Sequence, residues 1–233
     1  HDPSTVAAVI VEPVAGSTGC LPPPKGYLTR LADIARANGI LLIFDEVITA
    51  FGRLGHTFAA ERYGVTPDMI AFAKGVTNGA VPMSGVVVSA PIHEAHMVGP
   101  EHLPELYHGY TYSGHPLAVA AALATLDVHR DEGLAGRAAA LEPLFAEAMM
   151  SLRGLPGVLD IRPVGVMCGI DLAAKDGTAG KRGLEITERG YHDYGMYVRV
   201  AGDTIVVAPP LIATPDDVGE IRDKLAGLIQ ISS

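Results

Sequence analysis

Short apolar runs rich in β-branched residues alternate along the chain with longer stretches of helical period. This is the pattern of parallel strands joined by helical crossovers. Val6 to Val11, Ile40 to Phe44, Met69 to Ala73 and Gly85 to Ser89 read as strands buried on both faces. Between the first two, Gly26 to Asn38 puts Tyr27, Leu28, Leu31, Ile34 and Ala35 on one helical face, and Asn38-Gly39 supplies a C-terminal stop. Together they predict a βαβ unit. Pro22-Pro23-Pro24 closes the loop before it, because proline extends neither a helix nor a central strand.

From Pro116 to Arg153 the pattern becomes helical and alanine-rich, broken at Glu132-Gly133, which predicts two helices. Beyond them, strands are expected near Val158 to Arg162, Val166 to Leu172, Tyr197 to Val200 and Ile205 to Val207, with helices over Lys181 to Tyr194 and Pro215 to Ile231. Strand pairs mixed with helices predict an α+β layer. The expected organisation is therefore an α/β domain over residues 1–132 and a small α+β domain over residues 133–233.

Composition narrows the function classes. The 233 residues carry 17 basic and 26 acidic side chains, a formal charge of −9, so a nucleic-acid or anionic-membrane partner is not expected. With 48% hydrophobic residues there is ample material for a core, and disorder is excluded. The longest nearly apolar run, Leu117 to Val128, includes Thr125 and Asp127 and is shorter than the ~18 residues of a membrane span. Two distant cysteines, Cys20 and Cys168, form neither a disulfide framework nor a zinc cluster, and a reducing cytoplasm is the expected location.

Candidate chemistry begins in Leu41-Leu42-Ile43-Phe44-Asp45-Glu46-Val47, where an apolar strand delivers two carboxylates at its C-terminal end, the edge at which open α/β sheets bind ligands. The next strand ends in Lys74-Gly75. A lysine directly behind a buried strand is expected to be desolvated, and desolvation makes an amine nucleophilic enough for Schiff-base chemistry. Other features carry less. His93-Glu94-Ala95-His96 spaces its histidines three apart where a zinc helix needs four, no G-x-G-x-x-G is present, and Cys20 reads as a small buried hydrophobe.

Five segments in order resemble the class III aminotransferases, the pyridoxal-phosphate enzymes of fold type I that include the ω-amino acid transaminases. They are Glu12-Pro13-Val14-Ala15-Gly16, Asp45-Glu46-Val47, Pro67-Asp68 through Lys74-Gly75, His108-Gly109-Tyr110-Thr111-Tyr112-Ser113-Gly114-His115-Pro116, and Ala208-Pro209-Pro210-Leu211. The resemblance implies part of a fold-type-I large domain, a mostly parallel sheet with helices on both faces, followed by the small domain. It implies that Lys74 is the catalytic lysine holding pyridoxal 5'-phosphate as a Schiff base. Asp45 is then expected at the pyridine nitrogen, where a carboxylate keeps the ring protonated and electron-withdrawing. Val47 is expected against the ring, Glu12 beside the same site, and Tyr110 and Thr111 at the cofactor, with Thr111 reaching the phosphate of a partner subunit in a homodimer. Arg199 is expected to bind the substrate carboxylate with its planar fork.

The implied reaction moves an amino group from an ω-amino acid or amine to a keto acid. Ser17, where glutamate-using members carry a gating glutamate, and Ile48, where they carry glutamine, favour pyruvate as acceptor. The alternatives are an aminomutase, decarboxylase or epimerase of the same fold, or a non-catalytic fragment. Family features expected upstream of the first strand, among them a phosphate-receiving Gly/Ser loop and an aromatic that stacks on the ring, are not in the sequence. The chain is accordingly expected to be the C-terminal portion of a longer enzyme.

Overall fold

A computed structural model describes residues 2–103, 106–108 and 110–232, so Gly109 of the fourth segment lies outside the described residues. The chain divides into two compact units. The first comprises the chain up to Pro13, Pro24–Phe51 and Phe58–Glu132. The second comprises Val14–Pro23, Gly52–Thr57 and the chain from Gly133 onward, so it draws two segments from the stretch 1–132.

The first unit is built on strands β1 (Ala8–Val11), β2 (Leu41–Asp45), β3 (Met69–Phe72) and β4 (Gly85–Val88), in that spatial order. β1 pairs parallel to β2 and β2 parallel to β3, as expected of βαβ connections. β4, however, runs antiparallel to β3. Its connection contains only a 3-10 turn at Lys74–Val76 where a parallel return needs a crossover helix. Opposite Phe72, Gly85 leaves room for the aromatic ring, since a Cβ there would stand 2.5 Å from Phe72 Cζ.

Helix α1 (Tyr27–Ala37) follows the expected stretch, and Asn38 Nδ2 donates to the Ile34 carbonyl before Gly39 turns the chain at φ 65°. Its buried face is Leu28, Ala32 and Ala35, packed with Leu42, Phe44 and Val65. Tyr27 and Ile34, expected on that face, are exposed. Nor are the strands buried on both faces, because Ile10 and Val86 to Val88 are exposed while Leu42 and Phe44 are covered by α1. Two short helices not expected from the pattern, α2 (Ala59–Tyr63) and α3 (Ala90–His96), follow β2 and β4. Helix α4 (Pro116–Asp131) completes the unit, its Ala122 in a small cluster with Ala50, Phe51 and Val76.

The second unit opens with α5 (Leu134–Met150) and continues through β5 (Val158–Val164), β6 (Met167–Leu172), α6 (Lys181–Tyr194), β7 (Arg199–Ala201), β8 (Thr204–Val207) and α7 (Pro215–Ile231). Its antiparallel sheet has the order β5-β6-β8-β7. Phe145 and Met149 of α5, Ile186 of α6 and Leu225, Leu228 and Ile229 of α7 cover it in one core with Ile170 and Ile205. Asp203 binds the open N-terminus of α6, accepting from the amides of Gly180 at 2.7 Å and Gly183 at 3.0 Å. No helix among the described residues is long and apolar enough to cross a membrane.

Candidate active site

Three parallel strand ends converge on one edge of the first unit. Glu12 directly follows β1, Asp45 is the last residue of β2, and Lys74 comes two residues after β3. Asp45 lies opposite Ala71 in the β2/β3 register, and the Glu46 amide donates to the Ala71 carbonyl at 2.8 Å, so the strand that leads into Lys74 is tied to the one that ends in Asp45.

Pleating sends consecutive residues to opposite sides, and the two carboxylates of the pair divide accordingly. Asp45 is half-buried, and its Oδ1 accepts from the Val47 amide at 3.1 Å. Its Oδ2 has no hydrogen bond among the described residues. Glu46 is fully buried. Its Oε2 accepts from Thr49 Oγ1 at 3.0 Å and from the Ala59 amide at 2.5 Å, while Oε1 accepts from the Ala60 amide at 2.9 Å. Burial pushes this carboxyl's pKa up, against the pull of the Ala59 and Ala60 amides and the Thr49 hydroxyl.

Lys74 differs from expectation in its burial, for its side chain is exposed. β3 ends at Phe72, and the 3-10 turn that follows turns the lysine out of the sheet with φ at 49°, in the left-handed region unusual for a side-chain-bearing residue. The turn is held by a close contact. Phe51, itself buried at φ 58°, presses on Gly75 so closely that a Cβ there would stand 2.8 Å from Phe51 Cβ. Phe51 also meets the Phe72 ring edge-on at 5.7 Å between centroids.

Val47 is half-buried in the turn after Asp45. Tyr110 and Thr111 are exposed, and the Tyr110 ring lies 3.7 Å from that of His108. Among the described residues, no hydrogen bond or ring contact joins either of them to Asp45 or Lys74. Arg199 is the exposed first residue of β7 and belongs to the second unit. The histidines of the rejected zinc motif lie on α3, where His96 Nδ1 is 2.8 Å from the Ile92 carbonyl oxygen. The sequence motifs assign no role to Glu46 or Phe51. The adjacent acidic pair was the available signal for Glu46, since strand alternation puts its side chain opposite that of Asp45.

A lysine and a carboxylate at the C-terminal edge of a largely parallel sheet, joined in sequence to an α+β unit, define an α/β enzyme of the transaminase fold. The chain belongs to the class-III aminotransferases, whose family model matches residues 1–229. Among its relatives, an omega-aminotransferase of Caulobacter vibrioides is 54% identical over 97% of this chain and 51% of its own length. The beta-alanine–pyruvate aminotransferase of Pseudomonas aeruginosa is 48% identical over 97% of the chain and 50% of its own length. The solved omega transaminase of Pseudomonas jessenii in complex with PMP superposes with a TM-score of 0.90 at 31% identity, covering 99% of this chain and 52% of that one. The chain thus spans about half the length of the curated relatives it matches.

Class III aminotransferases depend on pyridoxal phosphate. That cofactor needs an amine able to reach its aldehyde carbon and a carboxylate facing its ring nitrogen. The exposed Lys74 and the uncommitted Asp45 Oδ2, at and just past the ends of adjacent strands, fit both demands.

Proposed function

We propose that the protein containing this chain is a pyridoxal-phosphate-dependent aminotransferase that moves an amino group from an ω-amino acid or amine to a keto acid, with pyruvate as the principal acceptor. The observation that carries this reading is the pairing of Asp45 and Lys74 at neighbouring strand ends, one with a free carboxylate oxygen and the other turned outward on a left-handed residue. When bound, the cofactor supplies a conjugated ring that withdraws electrons from the donor's amino-bearing carbon. The protein's own part is binding, orientation and proton handling. Lys74 Nζ anchors the cofactor at rest and moves the proton at the donor carbon. Asp45 Oδ2 holds the proton on the ring nitrogen, and the Val47 amide keeps that carboxylate facing the site. Val47 packs its branched side chain against the ring, with Glu12 beside it at the end of β1.

Residues 1–132 then form part of the cofactor domain and 133–233 the small domain. Tyr110 and Thr111 serve a cofactor phosphate, Thr111 across a homodimer, and Arg199 takes the substrate carboxylate through two parallel hydrogen bonds. The protein works in the cytoplasm. Transfer is favoured over internal migration, decarboxylation or epimerisation because the two relatives above are named for amino transfer, one of them to pyruvate.

The test uses the full-length protein. Incubated with β-alanine and pyruvate, it forms alanine, and borohydride reduction leaves the cofactor covalently on the peptide bearing Lys74. Lys74→Ala abolishes both. Retention of reducible cofactor on the chain in that variant would refute the lysine assignment, and product formation without a keto acid would refute transfer.

A further inference from the structure

A buried carboxylate is costly to keep. Taken out of water it loses several kcal/mol of solvation, recovered only where its oxygens are fully satisfied. Glu46 is fully buried and satisfied by three donors, two of them the first amides of α2, thirteen and fourteen residues further along. Replacing it with a small apolar residue would leave the first amides of α2 without this acceptor. What the carboxylate accomplishes is visible in what it joins.

Residue 46 is fastened in three directions. Its amide donates to Ala71 on β3, its carbonyl accepts from the Ala50 amide at 3.0 Å, and its carboxylate grips α2. The peptide immediately before it belongs to Asp45, and that after it leads to Val47, whose amide orients Asp45 Oδ1. The Asp45 carboxylate is therefore held by a turn of a few residues whose only charged anchor among the described contacts is Glu46. Ala50 leads directly into Phe51, which presses on Gly75 beside Lys74. One anchor thus stands behind both groups of the proposed site.

We propose that Glu46 is the positioning residue of the site: its carboxylate, clamped to Thr49 and to the first amides of α2, fixes the turn that aims Asp45 at the cofactor's ring nitrogen. Glu46 touches neither cofactor nor substrate and acts through Asp45. The inference rests on the role given above to Asp45, and the experiment separates the two.

Four full-length proteins are compared: the parent, Asp45→Asn, Glu46→Gln and the double variant. Glutamine keeps one acceptor oxygen and the side-chain volume, so the turn retains its shape but loses half of its clamp. Pyridoxal phosphate affinity is measured by equilibrium dialysis, the visible absorbance of the bound cofactor is titrated against pH, and the cofactor-free proteins are melted. Glu46→Gln weakens cofactor binding roughly ten- to hundredfold, the range a supporting residue behind a bound group commands, and shifts the midpoint of the absorbance titration. The double variant binds no more weakly than Asp45→Asn alone, because the clamp has nothing left to aim.

Two independent losses that multiply would overturn the proposal. So would a Glu46→Gln protein that melts lower without cofactor yet binds and titrates as the parent does, since that is a purely structural residue. If Asp45→Asn itself binds and titrates like the parent, the Asp45 assignment fails. If Asp45→Asn shows the loss and Glu46→Gln does not, only the positioning role fails.

Discussion

Gly169→Ala should release the segment Val14–Pro23 from the sheet of the second unit. Gly169 sits in β6, paired on one side with Arg162 of β5 and on the other with Val206 of β8. A Cβ there would stand 2.1 Å from the Gly19 carbonyl oxygen, where real contacts of a Cβ do not fall below 3.0 Å, so something must retreat by at least 3.0 − 2.1 = 0.9 Å. β6 is paired on both edges and buried, and the loop is the part that yields. Arg162 holds that loop, its Nη2 donating to Gly19 O at 3.0 Å and its Nε to Cys20 O at 3.4 Å. A retreat of 0.9 Å along the shorter bond lengthens it to 3.9 Å, outside hydrogen-bonding range. Overpacking of this kind costs about 1–3 kcal/mol and a bond to a charged donor about 1.5–3 kcal/mol. Against these stands a gain of about 0.5–1 kcal/mol from removing a glycine's freedom within a strand. The expected net loss is about 1.5–5.5 kcal/mol in urea unfolding. A second readout is local. Cys20 is fully buried under this contact and its thiol is pushed up to about 11 by burial, so it alkylates slowly in the native protein. In a Cys168→Ala background, Gly169→Ala should raise its alkylation rate at least about tenfold, the effect of ~1.4 kcal/mol on a local opening equilibrium. An unchanged urea midpoint with Cys20 still protected would refute the steric reasoning.

Asp171 accepts from Arg162 Nη1 and Nη2, at 2.5 and 2.7 Å, and from the Thr204 hydroxyl at 2.7 Å, and the Arg162 bonds hold its carboxyl below the usual carboxylate range. A carboxyl depressed in the folded state stabilises fully above its unfolded pKa of about 3.9 and loses that contribution as pH falls through the folded value. Acid unfolding below about pH 4 should therefore be less steep in Asp171→Asn, which at neutral pH should cost about 1–2 kcal/mol, a value reduced because the carboxylate is 34% exposed. Thr214 and Asp217 form a reciprocal cap on α7, the Asp217 amide donating to Thr214 Oγ1 at 3.2 Å and the Thr214 amide to Asp217 Oδ2 at 2.8 Å. Thr214→Ala should cost about 1 kcal/mol in calorimetric melting.

Much of the secondary structure was legible in the pattern of the chain. Lys181–Tyr194 and Pro215–Ile231 are helices over the expected residues, and the break between α4 and α5 falls at Glu132 and Gly133. These are long segments with strong local signals. α2 and α3 are too short to show a period, and α2 begins where Glu46 receives its amides, a tertiary cause with no trace in local sequence. The antiparallel β4 was hidden because a strand's direction depends on its connection and not on its composition. The same holds for Val14–Pro23, drawn into the second unit by Arg162, about 140 positions away. For the site, the order of strand ends and residue types was readable, whereas the exposure of Lys74 followed from a left-handed turn that no pattern of apolar residues encodes.

The two strand ends of the proposed site solve one problem in the same way. A group that must face a ligand cannot itself be packed, so its position has to be set by a neighbour that is. On β2 the outward residue is Asp45 and the next residue, Glu46, is buried and clamped. Past β3 the outward residue is Lys74 and the next is Gly75, pressed against Phe51. In one case the lock is polar and in the other steric, and the difference follows from what each outward group requires. A carboxylate that must accept one hydrogen bond in one direction gains from a charged clamp behind a rigid turn. A lysine with the proposed role of holding the cofactor and moving a proton needs a fixed Cα and a free side chain, which a glycine pressed against an aromatic residue provides. The turn from Asp45 to Phe51 carries the first outward group and both locks, which is why so short a segment holds the aspartate and, through Gly75, the lysine in register.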